Sequence, residues 1–149
     1  MTNEAYKAKQ WLNRNYNDAR RYEADLRMLE VMSNRLQSGV SKYETDGTQS
    51  HDPDAAKTRH DDALLEYSMQ KAKVEKEGKT ILLEMAKTRR AIAELSDPAH
   101  QAVAIDRYIN RLRWQDIAAL EHISAAQVHR VHQAMLERMA VILRDGAYV

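Results

Sequence analysis

Polar side chains that can hydrogen-bond to DNA bases recur within one short stretch near the end of the chain. They are Gln127, His129, Arg130 and Gln133. Their amide, imidazole and guanidinium groups can bond the edges of bases in the major groove of double-stranded DNA. The helix predicted to carry them, residues 125–136, has apolar residues at helical spacing: Val128, Val131, Met135 and Leu136. The polar side chains are therefore expected on its outer and N-terminal surface, where a recognition helix contacts bases.

The residues just before this helix predict a second, shorter helix and a tight turn. The shorter helix runs from about Trp114 to Leu120, and its apolar positions follow one face: Trp114, Ile117, Ala118 and Leu120. The turn is Glu121-His122-Ile123, with Ile123 closing the corner between two crossing helices. Ser124 is a good N-cap for the second helix. This spacing is that of a helix-turn-helix, although two helices joined by three residues also occur in bundles that bind nothing.

The stretch resembles the helix-turn-helix of sigma-factor region 4. It is more closely similar to small regulators of phages and prophages of Gram-positive bacteria, the RinA/ArpU-like group and a related phage domain of unknown function. The segments that carry the resemblance are Arg107-Tyr108-Ile109-Asn110, Trp114-Gln115-Asp116-Ile117-Ala118, Ser124, Val128-His129-Arg130-Val131-His132 and Leu136. The N-terminal part resembles the two long helices of that phage domain.

The resemblance implies a sequence-specific transcriptional regulator that binds double-stranded DNA in the bacterial cytoplasm. Base contacts are expected from Gln127, His129, Arg130 and Gln133, and phosphate contacts from Arg107, Arg111, Arg113 and Ser124. RNA polymerase is a further possible partner. Whether the regulator activates or represses, and which DNA sequence it selects, are not encoded in these motifs.

Some positions depart from the pattern of these domains. Arg111 and His122 stand where Gly is frequent, and Arg113 stands where a capping Ser or Thr is frequent. Ala125 and Ala126 replace long polar side chains at the start of the recognition helix. These alanines favour an alternative interpretation: a non-enzymatic protein-interaction module, binding RNA polymerase or a host factor, whose helix-turn-helix is structural.

The composition favours an all-α protein. The 149 residues include only four Gly and two Pro, and helix-forming residues predominate. There is no Cys, so disulfides and thiolate metal sites are excluded. The net charge of +1 is too small to argue for nucleic acid by itself. No secretion signal or membrane-spanning stretch is expected.

The first 96 residues predict a long two-helix, coiled-coil-like hairpin. Its helices are expected at about residues 4–36, capped by Asn3, and 53–95, with a flexible linker at 37–52. Heptad positions in the second helix form a flawed seam that Lys71 and Gly78 interrupt. Its positions are Tyr67, Val74, Ile81, Thr88 and Leu95, with Leu64, Lys71, Gly78, Met85 and Ile92. Because two helices would leave apolar side chains uncovered, a homodimer through the hairpin is expected, with a monomer folded back on the C-terminal domain as the alternative.

Residues 97–149 are predicted to form the helix-turn-helix domain, starting with the cap and proline of Ser96-Asp97-Pro98. A support helix is expected at 99–110, and the tail from Arg144 is expected to fray. His129 and His132 have a spacing that suits a metal, but nearby carboxylates to complete a site are lacking. No phosphate-binding loop, nucleophile elbow or paired carboxylate motif occurs. We therefore expect no catalytic site, no metal and no cofactor.

Overall fold

The structure is a computed structural model that describes residues 1–45, 53–146 and 148. Within these residues every element is a helix, which confirms the predicted all-α class. The helices are α1 (Asn3–Asn13), α2 (Tyr16–Thr45), α3 (Pro53–Ala93), α4 (Pro98–Ala104), a π-helical turn (Ile105–Ile109), α5 (Trp114–Glu121) and α6 (Ala125–Asp145).

The predicted helix at residues 4–36 is divided in two. Thr2, not Asn3, caps α1, because its hydroxyl accepts a hydrogen bond from the Ala5 N–H at 3.1 Å. The chain leaves the helix after Asn13, where the Arg14 guanidinium bonds back to the Trp11 carbonyl at 2.9 Å. It also bonds to the backbone of Glu84 at 3.0 Å. The end of α1 is thus held by a contact far along the chain that local periodicity does not reveal.

The chain forms two compact units, Met1–Tyr16 with Leu82–Val149, and Asn17–Ile81. These bounds differ from the predicted division at residues 96 and 97, because α1 packs against α6 and the end of α3 joins the same core. The buried residues of that core are Ala5, Ala8, Leu12, Ala91, Ile92, Leu95, Ala104, Met135, Leu136, Met139 and Leu143. Both ends of the chain therefore build the unit that carries the helix-turn-helix.

The second unit contains most of α2 and the first part of α3. Val74 and Gly78 of α3 are buried, as the predicted seam requires, and a Cβ on Gly78 would come within 2.7 Å of the Tyr22 hydroxyl of α2. Leu64 and Lys71, also assigned to the seam, are exposed. The predicted linker at 37–52 is helical over 37–45, and residues 46–52 lie outside the described residues.

The segment between α3 and α5 begins as expected. Asp97 caps α4 by accepting the Ala99 N–H at 2.9 Å, and Pro98 occupies the first helical position. The expected support helix at 99–110 then widens into the π-helical turn, which the Asn110 N–H closes on the Ile105 carbonyl at 2.9 Å. Tyr148, the last residue that the structure describes, packs edge-to-face on Trp11 with ring centroids 5.8 Å apart, so this part of the expected frayed tail is packed.

Candidate nucleic-acid interface

The helix-turn-helix has its own small core at the corner between α5 and α6. Val103, Ile117 and Val128 are buried there. Half-buried apolar residues surround them: Leu112, Trp114, Ala118, Ile123 and Val131. The predicted bounds of α5 agree to within one residue, and the predicted start of α6 and the corner role of Ile123 are confirmed. The helix predicted to end at residue 136 continues to Asp145. Leu120 is an exception: it is 59% exposed and does not belong to the apolar face of α5.

The turn between the two helices depends on a left-handed residue. His122 has φ 57°, and the Ile123 N–H closes the end of α5 on the Ala118 carbonyl at 3.1 Å. Arg111, just before α5, also has φ 57°. Only Gly adopts this backbone without strain, so both residues hold a strained conformation.

The start of α6 is capped as predicted and presents a polar surface. The Ser124 hydroxyl accepts a hydrogen bond from the Gln127 N–H at 3.1 Å. The side chains exposed over the first turns are Ala125, Ala126, Gln127, His129 and Arg130. Gln133 is half-buried. The residues expected to contact bases therefore share one end of one helix, but Gln133 is less accessible than the others.

Arg107 is held inside the unit by its neighbours. Its guanidinium donates to the Leu112 carbonyl at 2.9 Å and lies over the Trp114 ring, 4.4 Å from the ring centre. These contacts fasten the π-helical turn to the loop before α5. The predicted role of Arg107 in binding a phosphate thus competes with a structural one.

The other predicted phosphate-binding arginines differ in accessibility. Arg113 is exposed and is the N-cap residue of α5, where its side chain makes no capping bond but pairs with Asp116 at 3.1 Å. Arg111 is half-buried, with its guanidinium 5.4 Å from the ring centre of Tyr16. Arg113 is therefore the arginine best placed to reach a phosphate beside α5, since its exposed ion pair contributes little and can be exchanged.

A buried aromatic cluster anchors α6, and its central residue is His132, which the sequence analysis considered only for its spacing from His129. His132 is 5% exposed, and its Nε2 shares a hydrogen bond of 2.6 Å with the Tyr108 hydroxyl. The Trp114 ring stands edge-on to His132, with centroids 4.5 Å apart. The signal was its spacing, four residues after Val128 and four before Leu136, which continues the buried face.

The protonation states in this cluster follow from burial. Burial lowers the pKa of His132 from 6.5 to about 4, and the nearby cationic groups Lys9, His129 and Arg107 act in the same direction. Burial raises the pKa of Tyr108 from 10.0 to about 12, although Arg107 opposes it. Near neutral pH the imidazole is neutral and the phenol is protonated, and in the tautomer that carries the ring proton on Nδ1 the hydroxyl donates to Nε2.

A pair of carboxyl groups lies beside the turn. Burial raises the pKa of Glu121, and a side-chain hydrogen bond with Asp106 raises it further. The negative charge of Asp106 acts in the same direction, while His122 opposes it. Sharing a proton would reduce the negative charge that this pair presents next to the start of α6.

Two searches of the described residues bear on other kinds of site. Among residues 1–45, 53–146 and 148 no group of three or more His, Asp or Glu side chains is arranged to hold a metal ion. No helix within these ranges is long and apolar enough to cross a membrane.

No protein-family model, curated protein or solved structure gave a significant match to this chain.

Proposed function

We propose that the chain is a sequence-specific regulator of transcription of the phage or prophage type, which binds double-stranded DNA in the cytoplasm of a bacterial host. One observation carries the proposal. The first turns of α6 project from the helix-turn-helix corner with no apolar side chain larger than alanine among their exposed residues, while Gln127 and Arg130 offer long polar groups. A helix face of this kind suits insertion into the major groove.

The proposed mechanism assigns different tasks to the two helices. Residues 125–136 of α6 lie in the major groove, where Arg130 suits the bidentate acceptors of guanine and Gln127 suits adenine. The small side chains of Ala125 and Ala126 let the backbone of α6 approach the bases closely. Arg113, at the start of α5, binds a phosphate and sets the depth and register of α6 without reading sequence.

The first test is selection of bound duplexes from a random pool, followed by affinity measurements on the selected sequence. Arg130→Ala is expected to lower affinity by about 1–3 kcal/mol at one base pair and to relax the preference there. Arg144→Ala is the matched control, because it removes the same exposed charge from α6 about 21 Å further along the helix at ~1.5 Å per residue. The control should leave affinity nearly unchanged.

The second test distinguishes phosphate contacts, which do not depend on sequence, from contacts that recognise bases. Arg113→Ala should weaken binding to all duplexes alike and reduce the slope of log affinity against log salt by about one. If Arg130→Ala and Arg144→Ala have equal effects, or if no duplex is bound at low salt, α6 does not read DNA.

A second candidate function has one observation in its favour. Leu120 is 59% exposed at the end of α5, beside the turn, where an apolar side chain suits a protein partner better than a phosphate. Under this alternative the helix-turn-helix is structural and the unit binds a protein such as RNA polymerase. Leu120→Ser would then abolish capture of purified polymerase, whereas the regulator proposal expects loss of DNA binding only from the α6 and Arg113 variants.

A further inference from the structure

One face of α3 in the second unit carries exposed apolar side chains between opposite charges. Leu65 and Met69 are 61% and 67% exposed. On an ideal helix of about 3.6 residues per turn, Leu65 lies roughly 140° around the helix axis from the buried Gly78, and Met69 lies roughly 140° from the buried Val74. The face that packs toward α2 is thus distinct from a second, uncovered apolar face. We call the second face the α3 stripe, made of Asp62, Leu65, Glu66, Met69, Lys73 and Lys76.

The charges of the α3 stripe are ordered along the helix. The carboxylates of Asp62 and Glu66 precede Met69, and the ammonium groups of Lys73 and Lys76 follow it. All four side chains are exposed, and within the described part of the chain only Lys73 has an ion-pair partner, Glu77 at 3.9 Å. The acidic and basic ends of the α3 stripe can therefore pair with a surface whose charges follow the opposite order.

We infer that the α3 stripe binds the α3 stripe of a second copy of this chain, with the two helices antiparallel and crossing at Met69. A two-fold axis at Met69 sets Asp62 of each copy opposite the lysine at 76 of the other copy, and sets Glu66 within one residue of the position opposite the lysine at 73. The Leu65 and Met69 side chains then fill the centre. A parallel arrangement would set like charges together, so the charge order selects the antiparallel one.

The contact is small, which sets its expected strength. It covers about 21 Å of helix at ~1.5 Å per residue. A stable interface usually buries about 800 Å² from each partner, and smaller ones are weak or transient. A reversible equilibrium between monomer and dimer is therefore expected. The inference is independent of the proposed DNA binding, because it concerns the free protein.

The test exchanges the charges of the stripe in the full chain. Asp62→Lys with Glu66→Lys makes the stripe wholly basic, and Lys73→Glu with Lys76→Glu makes it wholly acidic. Sedimentation at low salt should show that each variant alone associates at least tenfold more weakly than the unchanged protein. An equimolar mixture should associate as a heterodimer at least as strongly as the unchanged protein, because all charge pairs are then opposite.

A matched control changes the same number of charges elsewhere. Lys7→Glu with Lys71→Glu alters net charge as the acidic variant does, on exposed lysines outside the stripe, and should leave self-association nearly unchanged. A mixture that stays monomeric, or a control that weakens association as much as the stripe variants, overturns the inference. A chain that is monomeric at all concentrations also overturns it and leaves the stripe to a different partner.

A cross-link supplies a second readout. The chain has no cysteine, so Met69→Cys creates its only thiol. A residue on a two-fold axis between packed helices can meet its own copy within disulfide distance. Mild oxidation should cross-link Met69→Cys much faster than Glu75→Cys, which is exposed on another side of α3. Equal rates for the two variants would refute the crossing point.

Discussion

Acid should weaken the anchoring of α6 through one side chain, His132. The imidazole is buried between Tyr108 and Trp114, and its pKa is lowered from 6.5 to about 4 in the folded chain. The unfolded chain therefore takes up a proton at a pH where the folded chain does not. Stability that is fully present above pH 6.5 is lost as the pH falls from about 6.5 to about 4. Protonation would also abolish Nε2 as the acceptor of the Tyr108 hydroxyl.

The magnitude follows from the two pKa values. A lowering from 6.5 to about 4 means a proton affinity about 300-fold lower in the folded chain, or about 3 kcal/mol in total. At pH 5 the His132 side chain is almost fully protonated in the unfolded chain and almost fully neutral in the folded chain. The free energy of unfolding has therefore already fallen by about 2 kcal/mol at this pH. This loss occurs above the range in which ordinary carboxyl groups titrate.

The assay compares urea unfolding of the unchanged protein and of His132→Gln between pH 7 and pH 4.5. Glutamine keeps an oxygen acceptor for Tyr108 but does not titrate, so its free energy of unfolding should fall by about 2 kcal/mol less between pH 7 and pH 5. NMR titration of the His132 ring reports the same pKa directly. The reasoning is refuted if the free energies of unfolding of the two proteins change in parallel with pH, or if the His132 ring titrates near 6.5.

Three further predictions concern folding, each checked by urea unfolding at pH 7. Ser124→Ala should lower the free energy of unfolding by about 1 kcal/mol, because it removes the cap of α6; no change would mean that the hydroxyl does not cap. His122→Gly should raise it by about 1 kcal/mol, since glycine adopts φ 57° without the penalty of a side chain, and a loss would contradict the strain argument. Gly78→Ala should lower it by about 1–3 kcal/mol, because the added methyl would come within 2.7 Å of the Tyr22 hydroxyl. In a Tyr22→Leu background the same alanine should instead stabilise α3 by up to ~1 kcal/mol, and equal effects in both backgrounds would refute the clash.

The sequence alone predicted the elements whose signals are local. The all-α class, the bounds of α5, the start of α6, and the caps at Asp97 and Ser124 depend on side chains and backbone groups within four residues of one another. Short-range spacing carries this information because a helix brings residues three and four apart onto one face.

Only the tertiary structure decided which segments share a core and which charges remain accessible. The division of the first helix after Asn13 depends on the contact of Arg14 with Glu84, which are 70 residues apart in the chain. Arg107, expected to bind a phosphate, also donates to the Leu112 carbonyl and lies over the Trp114 ring. Residues that are distant in the sequence compete for contact with the same side chain, and only the folded structure determines which contact forms. Periodicity in the sequence records which face is buried, but not against which segment it is buried.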